Sequence, residues 1–153
     1  MKRSTALVLQ IIVVLVGIGS LALMLWEPHL EGRNAQATVF EIYFNDPFLA
    51  YAYVGSTPFF VALIHAFKVL GLAGQNKVFS PAVLKALRTI KYCGVALIGV
   101  VAGAEIFIML GDSDDRAGGV LMGLLATLGA IAMAAAAAIF ERNLKNAAGM
   151  PQP

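Results

Sequence analysis

Four long apolar runs constrain this sequence more than any other feature. They cover residues 6–26, 48–72, 93–110 and 118–140, and a helix needs about 20 residues to cross a hydrocarbon core of roughly 30 Å. Backbone amides in lipid must form their hydrogen bonds within the segment, which helices allow. We therefore predict an all-α membrane protein, a bundle of four transmembrane helices forming a single domain over residues 1–153.

The composition agrees with a membrane location. Of the 153 residues, 59% are hydrophobic and 13% charged, whereas soluble domains carry about a quarter charged residues. A single cysteine, Cys93, excludes an internal disulfide and a zinc site built on several thiolates. Because no lysine or arginine run of the nucleic-acid-binding type occurs, we expect the lipid bilayer rather than DNA or RNA as a partner.

The first apolar run also resembles a signal peptide, because Lys2 and Arg3 precede it. Its length and the large residues at positions 23–26 favour a retained helix. Cleavage of this segment stays open as the alternative.

The basic residues predict the orientation of the four runs. Nine lie at one end: Lys2, Arg3, Lys68, Lys77, Lys85, Arg88, Lys91, Arg142 and Lys145. Two, Arg33 and Arg116, lie at the other end with seven acidic residues, Glu27, Glu31, Glu41, Asp46, Asp112, Asp114 and Asp115. Since basic residues favour the cytoplasmic side, both termini and the loop 73–92 are predicted to be cytoplasmic, and residues 27–47 to form an outer loop.

Two features shape the connecting segments. In the outer loop, the aromatic-rich stretch from Thr38 to Phe44 is compatible with a short strand or an interfacial helix. Pro58 lies inside the second run and predicts a kink, because proline cannot donate a hydrogen bond to the carbonyl four residues earlier.

The cytoplasmic loop contains a predicted basic amphipathic helix over residues 82–92, which leads into the third run. Lys85, Arg88 and Lys91 recur every three residues, while apolar residues lie mostly opposite them. Together with Lys77, these cations form a candidate docking surface for a cytoplasmic protein. The alternative is an ordinary anchor to anionic headgroups.

Ionisable residues inside the bilayer are functional candidates, since burying a charge there costs several kcal/mol. Glu105 lies roughly 8 Å below the outer end of its run, and His65 lies about 10 Å from the inner face. This separation in depth predicts local hydrogen-bonded pairs rather than a proton relay or an ion path. The expected neighbours are Ser20, Tyr53 and Arg116 for Glu105, and Gln10 for His65.

No motif of a metalloprotease, a phosphate loop or a serine hydrolase occurs. We therefore predict a non-enzymatic protein without catalytic residues, cofactor or metal site. The acidic stretch from Asp112 to Asp115 is interpreted as a solvated turn rather than a calcium site.

Small residues mark close helix packing in the third and fourth runs. They are Gly99, Gly103, Gly119, Gly123, Ala126, Ala130 and Ala134. A short connection joins these two runs, which favours a partner within the chain over a homo-oligomer.

Several blocks of the sequence resemble the domain of unknown function 2975 (YoaS-like) family. They are residues 57–70 (TPFFVALIHAFKVL), 76–93 (NKVFSPAVLKALRTIKYC), 112–118 (DSDDRAG) and 144–147 (LKNA). The resemblance departs at Arg116-Ala117, where members often have Ala-Pro, and Glu105 matches no motif of the family. It implies a bacterial cytoplasmic-membrane protein with four helices and no assigned activity, often encoded beside small helix-turn-helix regulators.

These observations support a leading hypothesis and two alternatives. In the leading hypothesis, the protein is a binding or sensing protein that sequesters a small cytoplasmic helix-turn-helix regulator. The second is a small transporter or channel, motivated by Glu105 and Pro58. The third is a structural subunit of a membrane complex, motivated by the small-residue faces.

Overall fold

The computed structural model describes residues 1–30, 36–111 and 116–149. Within these ranges the secondary structure consists of six α-helices and no strand. The helices are α1 (Arg3–Leu30), α2 (Val39–Phe44), α3 (Pro47–Gly55), α4 (Thr57–Gly74), α5 (Pro81–Leu110) and α6 (Arg116–Ala147).

Four stretches are long and apolar enough to cross a membrane. They are α1, α3 together with α4, α5 and α6, with lengths of 28, 28, 30 and 32 residues. Helices of this length measure about 42–48 Å, which exceeds a hydrocarbon core of roughly 30 Å. The predicted all-α architecture is therefore confirmed, with four helices long and apolar enough to span a membrane.

The second span is interrupted at Ser56, between α3 and α4. Pro58 occupies the first turn of α4 and has no N–H for the carbonyl of Val54. At the interruption, the Ser56 hydroxyl donates a hydrogen bond to the Tyr53 carbonyl at 2.7 Å. The position of this break agrees with the predicted kink.

The aromatic-rich stretch between the first and second spans forms a helix, α2, rather than a strand. A capping box begins it: the Glu41 N–H donates to Thr38 Oγ1 at 3.3 Å, and the Thr38 N–H donates to Glu41 Oε2 at 2.8 Å. Hydrogen bonds from Thr38 hold the pKa of the Glu41 carboxyl below its usual value. The bond from the backbone N–H has the larger effect and the bond from the hydroxyl the smaller. Two reciprocal hydrogen bonds thus decide the conformation that periodicity left open.

The predicted basic amphipathic helix forms the first turns of α5 and continues into the third span without a break. Its apolar residues Val83, Ala86, Leu87 and Ile90 are buried. Before it, α4 ends in a Schellman motif, in which Asn76 has a φ of 59°. The Lys77 N–H donates to Leu72 O at 2.9 Å and the Asn76 N–H to Ala73 O at 3.1 Å.

The packing of the spans follows the chain: α1 lies against α4, α4 against α5, and α5 against α6. The buried core is small and contains Ala62, Ile90, Cys93 and Ala137. Large apolar side chains elsewhere are exposed, such as Leu23 at 71% and Leu110 at 83%. Such faces require an apolar solvent, which a bilayer supplies.

Small residues bring α5 and α6 close together. A Cβ atom added to Gly94 would lie 2.8 Å from Ala134 Cβ and 2.9 Å from Ala130 O. Added to Gly119 it would meet Ile108, and added to Gly123 it would overlap Glu105 Oε1. The predicted positions Gly119, Gly123, Ala130 and Ala134 thus pack within the chain, and Gly94 is a further contact that the sequence did not predict. Two others differ, because Gly99 faces open space and Gly103 packs against the Tyr51 hydroxyl of α3.

Candidate functional site

A single buried carboxylate organises the basic end of the third and fourth spans. Glu141 of α6 contacts Arg88 Nη2 at 3.3 Å and Lys91 Nζ at 2.9 Å, both from α5. One turn further along α6, Lys145 Nζ lies 2.9 Å from Glu141 Oε1. The Glu141 side chain is 6% exposed, which a carboxylate tolerates when it is paired and hydrogen-bonded.

The charges of this cluster do not cancel. Glu141 is one carboxylate among three cationic side chains, and the side chains of Arg88, Lys91 and Lys145 are 55%, 30% and 13% exposed, respectively. Arg88 uses Nε and Nη2 on Glu141, while the guanidinium carries five N–H donors in total. The cluster therefore presents positioned donors and excess positive charge at the protein surface.

The structure divides the four cations of the predicted docking surface. Arg88 and Lys91 are held by Glu141, and Lys85 is exposed on the same helix. Lys77 lies in the connection before α5 and lines a separate cavity with Arg3 of α1. We therefore define the basic surface as Lys85, Arg88, Lys91 and Lys145.

The sequence analysis did not identify Glu141, which directly follows the fourth apolar run. Two signals pointed to it. Glu141 is the acidic residue at the end of the apolar runs where nine basic residues lie. Lys145 follows it by four residues, a spacing that allows an ion pair on one face of a helix. The contacts with α5 span 50 and 53 residues of sequence, so they depend on how the two helices pack.

Glu105 lies on α5 against the backbone of α6. Its Oε1 atom is buried and has no hydrogen-bond partner within the described residues. It occupies the space that a side chain at Gly123 would need. The predicted neighbours bond elsewhere, because Tyr53 donates to Met24 O at 2.6 Å and Arg116 Nη2 donates to Gly111 O at 2.7 Å.

His65 and Gln10 also make separate contacts. The His65 Nδ1–H donates to the Val61 carbonyl in its own helix at 2.8 Å. Gln10 of α1 donates through Nε2 to the Phe67 carbonyl of α4 at 3.0 Å. Gln10 thus bridges the first and second spans, while the Nδ1 atom of His65 is bonded within its own helix.

At the end opposite the basic residues, two tyrosines bond α2 and α3 to α1. Pro28 lies inside α1 and has no N–H to donate to the carbonyl of Met24. The Tyr53 hydroxyl fills this vacant position at 2.6 Å, and the Tyr43 hydroxyl donates to Leu25 O at 2.7 Å. These bonds hold the C-terminal end of α1, which contains Pro28, against α2 and α3.

The described ranges contain no group of three or more His, Cys, Asp or Glu residues that could hold a metal ion. The acidic stretch from Asp112 to Asp115, for which calcium was considered, lies outside those ranges.

The chain is similar to known membrane proteins. A family model described as "Protein of unknown function (DUF2975)" matches residues 32–152. The uncharacterized membrane protein YoaS of Bacillus subtilis (strain 168) is 34% identical over 149 residues, which cover 96% of this chain and 93% of that protein. No solved structure matches the chain. The matched region includes the Glu141 cluster, Glu105 and His65.

Proposed function

This chain belongs to the DUF2975 family of membrane proteins, and from its geometry we propose that it is a non-enzymatic protein of a bacterial cytoplasmic membrane. Its role in this proposal is to bind a small helix-turn-helix regulator at the membrane through the basic surface. The regulator would dock through an acidic face, because the surface carries excess positive charge.

The arrangement around Glu141 is the observation that carries the proposal. Long lysine and arginine side chains lose conformational freedom when they bind a partner, at about 0.5 to 1.5 kcal/mol for each immobilised side chain. Glu141 already holds Arg88 and Lys91 in place while the Arg88 side chain stays about half exposed. A surface fixed before binding loses less entropy when a partner arrives.

Co-purification from host membranes tests the proposal. We expect a small helix-turn-helix protein to be recovered with the wild-type chain at low salt and to be lost as ionic strength rises, because exposed charge pairs are screened. Lys85→Glu should lower recovery about tenfold and change the transcripts that the regulator controls. It reverses an exposed charge without removing a partner of Glu141.

Arg142→Glu is the matched control, since Arg142 is exposed at the same end of α6 and forms no ion pair within the described residues. It should leave recovery near the wild-type level. The proposal fails if no such regulator is recovered, or if both charge reversals act equally.

A transport function is the second candidate, and the buried Oε1 atom of Glu105 supports it. An acceptor without a donor inside a span is costly, and transporters use such carboxylates to bind protons or cations. Flux of protons or monovalent cations into proteoliposomes tests this function. Activity that disappears in Glu105→Gln would favour transport, and absence of flux in the wild-type protein would argue against it.

A further inference from the structure

An open cavity of about 520 Å³ lies between the start of α1 and the end of α4. This volume falls within the roughly 300 to 1,000 Å³ that is typical of small-molecule sites. The cavity is lined by Arg3, Ala6, Leu7 and Gln10 from α1, and by Gly71, Gly74, Gln75 and Lys77. It is separate from the Glu141 cluster, and neither proposed function uses it.

Small residues form the floor of this cavity. A Cβ atom added to Gly74 would lie 2.6 Å from Ala6 Cβ, so the two helix backbones touch at that level. A Cβ atom added to Gly71 would lie 2.9 Å from Gln10 Nε2. The Gln10 amide is in turn bonded to Phe67 O at 3.0 Å, which fixes its position in the wall.

The described walls of the cavity are cationic. Arg3 and Lys77 both line it, and no acidic residue of the described ranges does. Neither side chain forms an ion pair or a hydrogen bond within the described part of the chain. The Schellman motif at Asn76 fixes the backbone from which Lys77 projects. Two like charges that share a cleft repel each other, and a bound anion would relieve the repulsion.

The cavity also has an apolar side at the level where α1 enters the hydrocarbon core. Arg3 is the first residue of α1, and the apolar run begins three residues later. Leu7, which lines the cavity, is exposed and belongs to that run. A ligand that combines an anionic group with hydrocarbon chains matches both halves of this lining.

We propose that this cavity binds the phosphodiester of an anionic phospholipid, with Arg3 and Lys77 on the phosphate and Gln75 on the polar headgroup. The acyl chains of the lipid run along Leu7 in the groove between α1 and α4. The shared chemistry is a phosphate group, and the source is a lipid rather than free phosphate, because free phosphate would leave the apolar side unused.

Native mass spectrometry of the full chain, released from nanodiscs, tests the proposal. The nanodiscs contain phosphatidylglycerol in an excess of phosphatidylethanolamine, and lipid adducts are counted. We expect one retained phosphatidylglycerol for each chain. Because a direct hydrogen bond from a charged side chain to the phosphate contributes about tenfold to binding, Arg3→Gln or Lys77→Gln should each weaken retention about tenfold, and the double variant about 100-fold.

Lys85→Gln is the matched control, because it removes an exposed cation at the same end of the molecule but outside the cavity. It should retain phosphatidylglycerol as the wild type does. Equal loss in this control would mean unspecific surface attraction and would overturn the proposal. Displacement of the adduct by an excess of inorganic phosphate would assign the site to free phosphate and overturn the lipid source.

Each proposal can fail without the other. Loss of the lipid adduct in the Arg3 and Lys77 variants leaves regulator recovery through Lys85 unchanged. Absence of a regulator, conversely, has no effect on lipid retention.

Discussion

At Glu141, three cations from two helices share one carboxylate, and replacing it with glutamine removes the charge while keeping the shape. Glu141→Gln leaves Arg88, Lys91 and Lys145 close together without an anion. We expect the free energy of unfolding to fall by about 1 to 2 kcal/mol, less than for a fully buried pair because Arg88 is half exposed to screening solvent. Unfolding in mixed micelles, followed by Trp26 fluorescence, measures the change.

Arg142→Gln provides the control for this variant, since it also alters one charge at the end of α6. It should change the free energy of unfolding by less than about 0.5 kcal/mol. The deficit of Glu141→Gln should also shrink at high salt, where repulsion among the remaining cations is screened. A deficit that does not depend on salt would contradict the electrostatic role of Glu141.

Tyr53 and Pro28 form a second residue pair whose energies should be coupled. The Tyr53 hydroxyl donates to the Met24 carbonyl, which has no helical donor because residue 28 is proline. Tyr53→Phe should therefore lower the free energy of unfolding by about 1 to 2 kcal/mol. In a Pro28→Ala background the new N–H can bond Met24 O, so the same change should then be nearly neutral.

A double-mutant cycle in mixed micelles gives this coupling directly, and about 1 kcal/mol is expected. If Tyr53→Phe has the same effect in both backgrounds, the hydroxyl is not replacing the missing donor.

At the scale of elements, α5 contains a matched pair of glycines for testing helix contact. A methyl group at Gly94 would meet backbone atoms of α6, at 2.9 Å from Ala130 O and 3.0 Å from Ala134 N. Backbone cannot move aside as a flexible side chain can, so Gly94→Ala should lower the free energy of unfolding by about 1 to 3 kcal/mol. The efficiency of cysteine cross-linking between α5 and α6 is a second measurement, and it should fall in this variant.

Gly99→Ala is the control, because nothing lies within 4 Å of a Cβ atom there. In that position alanine should be neutral or should stabilise the helix by up to about 1 kcal/mol, through its higher helix propensity. Similar losses at Gly94 and Gly99 would mean that α5 and α6 do not approach as closely as the structure places them.

The elements that could be predicted from the sequence are those that local physics decides. Length and hydropathy identify the four spans, and Pro58 predicts the interruption at Ser56. Contacts between spans could not be predicted in the same way. Counting residues gives the depth of Glu105 in the membrane but not the direction in which its helix is rotated, so its neighbour became Gly123 rather than Tyr53. The contacts of Glu141 with Arg88 and Lys91 likewise depend on how α5 and α6 are rotated about their axes, which the sequence does not give.

At the scale of the whole molecule, charge separates the two ends of the four spans. The starts of α1 and α5 and the ends of α4 and α6 meet at the end that carries nine of the eleven basic residues. The basic surface and the cavity at Arg3 both lie at this end. Binding of a cytoplasmic regulator therefore requires this end to face the cytoplasm, whereas the phospholipid site requires only anionic lipid in the leaflet that it faces.

Cysteine labelling in intact cells tests this orientation in a Cys93→Ala background. The variants are Asn45→Cys, between α2 and α3, and Ala148→Cys, directly after α6. Both positions are exposed. Since basic residues are retained on the cytoplasmic side during insertion, a membrane-impermeant maleimide should label Asn45→Cys in intact cells and Ala148→Cys only after permeabilisation. The opposite pattern would place the basic end outside, where a cytoplasmic regulator has no access to Lys85 and Arg88. It would leave the phospholipid site open to test, because anionic headgroups at that leaflet could still reach Arg3 and Lys77.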